Sequence, residues 1–343
     1  MRVLVIGGTG FIGYHATHEL LRRGHLVTVL GLPPGPPEGT LPETVSIELH
    51  NIGQLEDRDL DRLLSGYEAV VFAAGADDRS VPASPAAEFF YEANVKSAVR
   101  LTAASLRAGV KRFVLLGSYF THFDRVWPHM ELAKHHPYIA SRKQQQELCT
   151  TIAGTSMALV ALELPYVFGA MPGVVPLWSP LVSYVRSGAP LFYTNGGSNM
   201  VSVRSVAEAI AGACEEISQS RIFQVGERNV LWTELLKELC SITKRSDDTV
   251  HIIPDSSVNS LSWLVDALHT MQGRESGLHA THFSRVQTSC TFFDIQESQA
   301  ALGYSIEGLS AAIPETVLAC PEEPGRGYWE SFSQKARQLV GRS

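Results

Sequence analysis

The chain has 343 residues, a formal charge of −7, 18% charged residues and 45% hydrophobic ones, enough to bury the core of one large α/β domain or two smaller ones. An acidic balance without a basic patch argues against nucleic acid or a membrane surface as partner and for a small neutral or apolar ligand. The five cysteines, Cys149, Cys214, Cys240, Cys290 and Cys320, show no CxxC spacing and read as free thiols in a reducing compartment.

In chain order, Arg2–Ile6 (RVLVI) is a short β-branched run suited to a buried parallel strand. A strand this early leaves no room for a signal peptide, and the expected location is cytoplasmic. His15–Arg23 has helical character and ends at Gly24. Between strand and helix lies Gly7-Gly8-Thr9-Gly10-Phe11-Ile12-Gly13. In that setting the first glycine allows a tight turn, the second lets backbone approach a pyrophosphate, and the third lets helix pack on strand. The helix N-terminus adds amide donors and partial positive charge, so the segment reads as a dinucleotide phosphate loop. The rhythm continues with strand Leu26–Leu30, strand Val45–Leu49, helical Leu60–Leu64, strand Ala69–Ala73, a helix from about Ala86 to Ala108, and strand Arg112–Leu116. This is the pattern of an α/β fold with a Rossmann-type, doubly wound parallel sheet. The apolar stretch Ser156–Trp178 is broken by Glu163, Pro165, Gly169, Pro172 and Gly173, which excludes a membrane span.

GGTGFIG, GHLVTVL and the segments that follow resemble the extended short-chain dehydrogenase/reductase family, also called the NAD-dependent epimerase/dehydratase family. The resemblance runs nearly the whole chain. It implies an NAD(P) cofactor held by Gly7, Thr9, Gly10, Phe11, Ile12 and Gly13, by Asn51-Ile52 near adenine, by Ala73, Ala74 and Gly75, and by Asn94. Leu162–Gly169 (LELPYVFG) resembles the segment beside the nicotinamide, implicating Pro165, Tyr166 and Val167, with Glu163 where relatives carry Arg. Relatives that prefer NAD usually end the second strand in Asp. Here Gly31 and Leu32 stand there, followed by prolines, without the acid of NAD enzymes or the Arg of NADP enzymes. The missing acid leans weakly to NADP.

The family resemblance also implies a smaller, interleaved C-terminal substrate domain. The expected Rossmann domain is 1–169 with 199–226 and about 286–304, the substrate domain 170–198 and 227–285, and a C-terminal extension 305–343. A homodimer through the helices beginning near Ala86 and Tyr138 is implied by resemblance alone.

The catalytic pattern of the family pairs a Ser or Thr ending the fifth strand with a Tyr in YxxxK. RFVLLGS places Ser118 at the first position, and Pro137-Tyr138-Ile139-Ala140-Ser141-Arg142-Lys143 supplies the second, with Arg142 where lysine is usual. A free tyrosine has a pKa of about 10, so acid–base work near neutrality needs a neighbouring cation. Arg142 shares a helical face with Tyr138, whereas Lys143 lies about 100° further round. Three readings follow. Arg142 replaces the lysine in an active enzyme; a helix irregularity swings Lys143 in; or the chain is a redox-inactive NAD(P)-binding regulatory protein.

His122, His129, His135 and His136, with His279 and His282 at i,i+3 spacing, make a metal site imaginable, but no Cys or carboxylate accompanies them at ligand spacing, so none is expected. Tyr119, Phe120, Phe123 and Trp127 read either as a pocket wall or as packing between domains. Nucleotide-sugar relatives commonly hold pyrophosphate with an Arg after GxGxxxR; Gly196-Gly197-Ser198 offers no cation there, although Arg186 or Arg204 could reach a phosphate. Trp178, Tyr184, Phe192, Tyr193 and Met200 suit an apolar or aromatic ligand. The expected function is NAD(P)-dependent oxidation or reduction of an alcohol or carbonyl on a small, apolar, non-nucleotide-sugar compound. The alternative is nucleotide-sugar epimerisation or dehydration.

Overall fold

The computed structural model describes residues 1–322; the remainder of the expected C-terminal extension lies outside the described residues. The first half alternates β1 (Arg2–Ile6), α1 (Phe11–Arg22), β2 (Leu26–Gly31), β3 (Ser46–Leu49), α2 (Asp57–Leu63), β4 (Ala69–Phe72), α3 (Ala86–Phe90), α4 (Ser97–Arg107), β5 (Arg112–Ser118), α5 (Phe120–Val126), α6 (Leu132–His135), α7 (Pro137–Ala153) and β6 (Ala158–Leu164). It continues with β7 (Tyr166–Phe168), α8 (Ser179–Arg186), β8 (Leu191–Tyr193), β9 (Gly197–Ser202), α9 (Val203–Glu215), β10 (Arg221–Gln224), β11 (Arg228–Leu231), α10 (Trp232–Ile242), β12 (Val250–Ile252), α11 (Asp255–Met271), α12 (Ala280–Gln287), β13 (Cys290–Thr291), α13 (Gln296–Leu302) and α14 (Leu309–Ala319).

Seven strands form one sheet in the order β10-β6-β5-β4-β1-β2-β3, every pair parallel. Residues of β1 divide between two cores. Val3 and Val5 join Ala16 and Leu20 of α1 and Ala209 and Ile210 of α9 on one face. Leu4 and Ile6 join Leu60, Leu101 and Leu115 on the other. Apolar burial on both faces explains why the strands read as continuous β-branched runs rather than alternating ones. Strand order reverses at β1, between β2 and β4, and the crevice at that switch point is where such sheets bind ligands.

The helix expected over about 86–108 is not uniform. Between α3 and α4 the residues Tyr91–Lys96 form a π-helical turn that contains buried Asn94. The wider turn carries an extra residue, a feature that recurs at functional sites.

A second group of elements stands on this sheet. β9 is flanked by β11 antiparallel and pairs in parallel with β13 and β7, while β8 pairs β12. Its core collects Val182, Leu191, Trp232, Leu235, Leu239 and Ile313, so α14 packs on α10. A further cluster of Phe90, Tyr119, Phe120, Phe123, Tyr138 and Phe293 joins the two groups. Among the described residues no helix is long and apolar enough to cross a membrane.

Candidate functional site

The glycines of the expected phosphate loop are fixed by close approach. Gly7 has φ +80°, and a Cβ there would stand 2.8 Å from the Ala73 backbone. A Cβ on Gly13 would lie 2.2 Å from the Gly7 carbonyl oxygen, so only glycine lets α1 start this close to β1. Gly10 caps α1 without a side-chain hydrogen bond, and no acidic residue occupies the first turn. The amides of the first turn therefore face outward at the positive end of the helix dipole, a setting that suits an anionic pyrophosphate. Thr9, Phe11 and Ile12 are half-buried around it. Thr9 lies against Gly31, where a Cβ would come within 2.8 Å of the Thr9 methyl. Asn51 uses its side-chain oxygen locally, accepting from Gly53 N–H at 3.0 Å, which leaves its amide NH₂ for a ligand. Ile52 is half-buried beside it.

Asn94 is wholly buried and serves as scaffold. Its Oδ1 accepts from Ala76 N–H at 2.8 Å, its Nδ2 donates to Ser141 Oγ at 3.1 Å, and its carbonyl accepts from Gln145 at 2.7 Å. These bonds tie the loop after β4 to α7. Gly75, at φ +136°, is required here because a Cβ would sit 2.6 Å from Asn94 Oδ1 and 3.5 Å from the Arg142 guanidinium. Ala73 and Ala74 lead into that loop and are half-buried.

Ser118 ends β5, and Tyr138 and Arg142 rise from the first turns of α7, which Pro137 opens. Pro137 fits there because the first turn has no internal donor to lose. The Tyr138 amide donates to Gly277 O at 3.0 Å, fixing the helix start. The Tyr138 side chain is 6% exposed. Burial pushes its pKa up, against the Arg142 charge and Ser118, which both act to lower it. The Arg142 carbon Cζ stands 5.4 Å from the Tyr138 ring centre. Its Nη1 donates to Gln145 Oε1 at 3.1 Å and to Leu116 O at 3.5 Å, and its Nη2 to Ala76 O at 3.3 Å, while the buried Nε has no partner. A buried orphan donor beside the glycine-lined crevice fits a ribose hydroxyl of a bound nucleotide. Lys143 is elsewhere. Its Nζ donates to Asp124 at 2.8 Å on the far side of an unbroken α7, so no helix irregularity brings it in.

Residues that sequence reasoning passed over complete the surroundings. Asp78, in the loop after β4, acts electrostatically on Tyr119, Tyr138, Tyr166 and Arg142. Burial and the like charge of Asp77 push its carboxyl up to about 6, against the pull of Arg79 and Arg142. Its only sequence signal was the Asp77-Asp78-Arg79 charge run directly after FAAG. Tyr166, between Pro165 and Val167, packs against Trp178 and Trp232 with ring centres 5.4 Å away in each case, and against Tyr119 at 6.0 Å. Val167 O accepts from Trp178 Nε1 at 3.1 Å.

Several expected roles need correction. Of the two readings of the aromatic stretch, packing describes Phe120 and Phe123, both buried, Phe120 against Phe283 and Phe123 against Trp127. Met200 is wholly buried, and Tyr184 donates to Pro190 O on the surface. Arg186 donates to the carbonyls of Val317, Cys320 and Pro321, holding the end of α14, and Arg204, 59% exposed, pairs with Glu315 at the surface. Glu163 is buried but answered by both guanidinium nitrogens of Arg125 at 2.8 and 2.7 Å and by Gln224 at 2.7 Å. It locks α5 to β6. Among the described residues no three His, Cys, Asp or Glu side chains are grouped to hold a metal ion.

Comparison with known proteins agrees with this fold. The model of the NAD dependent epimerase/dehydratase family matches residues 3–226. Human sterol-4-alpha-carboxylate 3-dehydrogenase, decarboxylating, is 27% identical over 234 residues, covering 64% of this chain and 58% of that protein. The match thus spans under two thirds of that relative's length. UDP-glucose 4-epimerase of Klebsiella pneumoniae is 32% identical over 136 residues, 36% of this chain and 94% of that one. UDP-glucuronic acid 4-epimerase from Bacillus cereus, solved in complex with NAD, superposes with a TM-score of 0.67 at 14% identity, covering 93% of this chain and 98% of that one.

Proposed function

Because the chain belongs to the NAD-dependent epimerase/dehydratase family, we propose that it is an NAD(P)-dependent oxidoreductase acting on a carbonyl or alcohol of a small, apolar compound that is not a nucleotide sugar. The observation that carries this is the placement of Ser118 at the end of β5 and of Tyr138 and Arg142 one turn apart on α7, with the guanidinium carbon 5.4 Å from the tyrosine ring centre beside a glycine-lined crevice.

Gly7, Gly10 and Gly13 with the first-turn amides would hold the pyrophosphate, Asn51 and Ile52 would face adenine, Ala73 to Gly75 would approach the ribose, and Arg142 Nε would meet a nicotinamide ribose hydroxyl. Bound there, the nucleotide supplies or accepts the hydride. Tyr138 Oη gives its proton to the substrate oxygen in reduction and takes it back in oxidation. Ser118 Oγ orients that oxygen, and Arg142 favours the phenolate. Arg keeps its charge under all working conditions, which supports its replacing a lysine here. Gly31 places no carboxylate against a 2′-phosphate, supporting NADP over NAD. The engagement of Arg186 and Arg204 with protein groups supports a substrate without a diphosphate, and Tyr166, Trp178 and Tyr193 offer it partly exposed ring surface. Half-exposed Tyr91 and Leu148, on the segments of α3–α4 and α7, support a homodimer through those helices.

The test is a calorimetric titration with NADPH and NADH followed by turnover on a panel of cyclic ketones, secondary alcohols and UDP-sugars. The expected result is tight nucleotide binding and turnover of an apolar ketone or alcohol that Tyr138→Phe abolishes without loss of binding. Turnover confined to UDP-sugars would favour epimerisation. Binding without turnover, insensitive to Tyr138→Phe, would leave a nucleotide-sensing protein.

A further inference from the structure

Four of the histidines conspicuous in the sequence meet where the helix of Tyr138 begins, and the proposed reaction uses none of them. His136 is the N-cap of α7 and His279 the N-cap of α12, so two helix N-termini stand against each other there. The backbone amide of His279 donates to Nδ1 of wholly buried His136 at 3.1 Å. Two residues on, the Tyr138 amide, a first-turn donor with no partner inside its own helix, donates to Gly277 O at 3.0 Å. The backbone at Gly277 is pressed on the tyrosine itself, since a Cβ there would lie 3.0 Å from Tyr138 Cβ and 2.4 Å from Phe90 Cζ. Phe90 in turn packs edge-on to the Tyr138 ring, with centres 5.7 Å apart.

The N-terminal side of this segment is tied to the loop after β4. Ser84 N–H donates to Gly273 O at 3.0 Å, Glu275 N–H to Pro82 O at 3.1 Å and Gly277 N–H to Ser80 O at 3.2 Å. One oxygen of Glu275 accepts from Ser84 Oγ at 3.0 Å and from the Ala86 amide at 2.9 Å, and the other meets His279 Nε2 at 3.0 Å. The bond between His136 and His279 closes the C-terminal side onto α7.

That bond has a protonation requirement. An imidazole nitrogen accepts from an amide only while it carries no hydrogen, so a protonated His136 would set two donors against each other. The positive ends of two helix dipoles already meet at this point. The rings of His279 and His282 lie 6.3 and 6.4 Å from that of His136, and His135 stacks on His282 at 3.8 Å. Arg285 of α12 adds a further positive charge. The acids nearby are engaged: Asp266 of α11 accepts from the Ala280 and Thr281 amides at 2.9 and 2.8 Å, Glu275 is held as above, and Glu131 pairs with Lys134 at 2.9 Å and lies 3.8 Å from His135. Burial and the neighbouring histidines accordingly push His136 down to about 3.

We infer that His136 is a positioning residue for Tyr138, whose neutral imidazole holds residues 277–279 against the start of α7 and whose protonation releases them, so that the tyrosine loses its backing in acid. The inference rests on the reading of Tyr138 as the group that exchanges a proton with substrate, and His136 acts through that residue. Between pH 6.5 and about 3 the released state binds one proton more than the closed one, so release gains about tenfold with each pH unit below 6.5.

The experiment uses the full chain and two readouts. Amide exchange, corrected for the intrinsic effect of pH, is followed by mass spectrometry on peptides containing Tyr138 and His279. From pH 7.5 to pH 5 their protection should fall about 30-fold in the wild type, and by more than that of peptides from β4 and β5. His136→Asn supplies an acceptor that does not titrate, and its protection should change by less than about threefold. His136→Leu has no acceptor and should lose protection at both pH values; where it does not fold, His136→Asn decides. The second readout is the pH profile of ketone reduction, in which Tyr138 must be protonated, so its own titration removes no activity on the acid side. The wild-type rate should fall below pH 6.5, and in His136→Asn that fall should move down by about one unit or more. Exchange with the same pH dependence in the wild type and His136→Asn, or acid limbs that coincide, would overturn the inference. Release in acid without turnover at any pH would leave it standing and count against the oxidoreductase reading. Turnover with exchange indifferent to pH would do the reverse.

Discussion

Replacing Arg142 by Met removes the cation whose charge lowers the Tyr138 pKa, and its consequence can be worked from the distances. The guanidinium carbon lies 5.4 Å from the tyrosine ring centre. Across that gap, at an effective dielectric constant of about 20, a unit charge pair attracts by about 3 kcal/mol, worth roughly two pKa units. Solvent at the half-buried arginine reduces this, so a rise of one to two units in the tyrosine pKa is expected. The base form is needed for alcohol oxidation, so the sign is clear. The rate should climb with pH through the tyrosine pKa, and Arg142→Met should move that climb upward by one to two units. Below it, oxidation should slow by about 10- to 100-fold. Arg142→Lys should keep the limb within half a unit while weakening nucleotide binding, because the shorter ammonium loses the planar donor set that meets Leu116, Ala76 and Gln145. The assay is the pH profile of initial oxidation rates at saturating nucleotide. An Arg142→Met limb that coincides with the wild type would refute the assignment of Arg142 as the phenolate's partner.

Gly13→Ala should lower the melting temperature and weaken NADPH binding at least tenfold, since its Cβ would collide with the Gly7 carbonyl; melts with and without nucleotide separate the two effects. Lys143→Met should leave nucleotide affinity untouched, because its Nζ is turned to Asp124, and should cost about 1–3 kcal/mol in urea denaturation, because the lysine is 43% exposed but the carboxylate it leaves behind is 8% exposed. Asn94→Ala strips the acceptor from the buried Ala76 amide and should cost about 1–3 kcal/mol in urea denaturation. His136, wholly buried with Nδ1 accepting from the His279 amide, is pushed down to about 3 by burial and by the neighbouring histidines. The folded state then binds fewer protons than the unfolded chain between pH 6.5 and about 3, so this histidine's contribution is present above that window and lost as pH falls through it. A urea midpoint that declines less from pH 7 to 4.5 in His136→Asn than in the wild type is the expected outcome.

Local features of this chain were legible because their physics is local. The spacing of Gly7, Gly10 and Gly13 between a β-branched run and a helix made the glycine loop legible, since Gly10 and Gly13 answer contacts within the loop itself, whereas the approach of Gly7 to Ala73 needed the neighbouring strand. The placement of Tyr138 and Arg142 one turn apart determined that they share a face, and the helix geometry alone sent Lys143 elsewhere. The packing of Phe120 and Phe123 was not legible, because an aromatic run suits a pocket wall and a core equally until its neighbours are known. The same holds for Arg186 and Arg204, whose partners lie more than a hundred residues away. The π-helical turn at Asn94 carries side-chain bonds to Ala76 and Ser141 that no periodicity records. The raised pKa of Asp78 was legible only in part: Asp77 beside it supplies like charge, but the desolvation that dominates comes from tertiary burial, which only the folded structure decides.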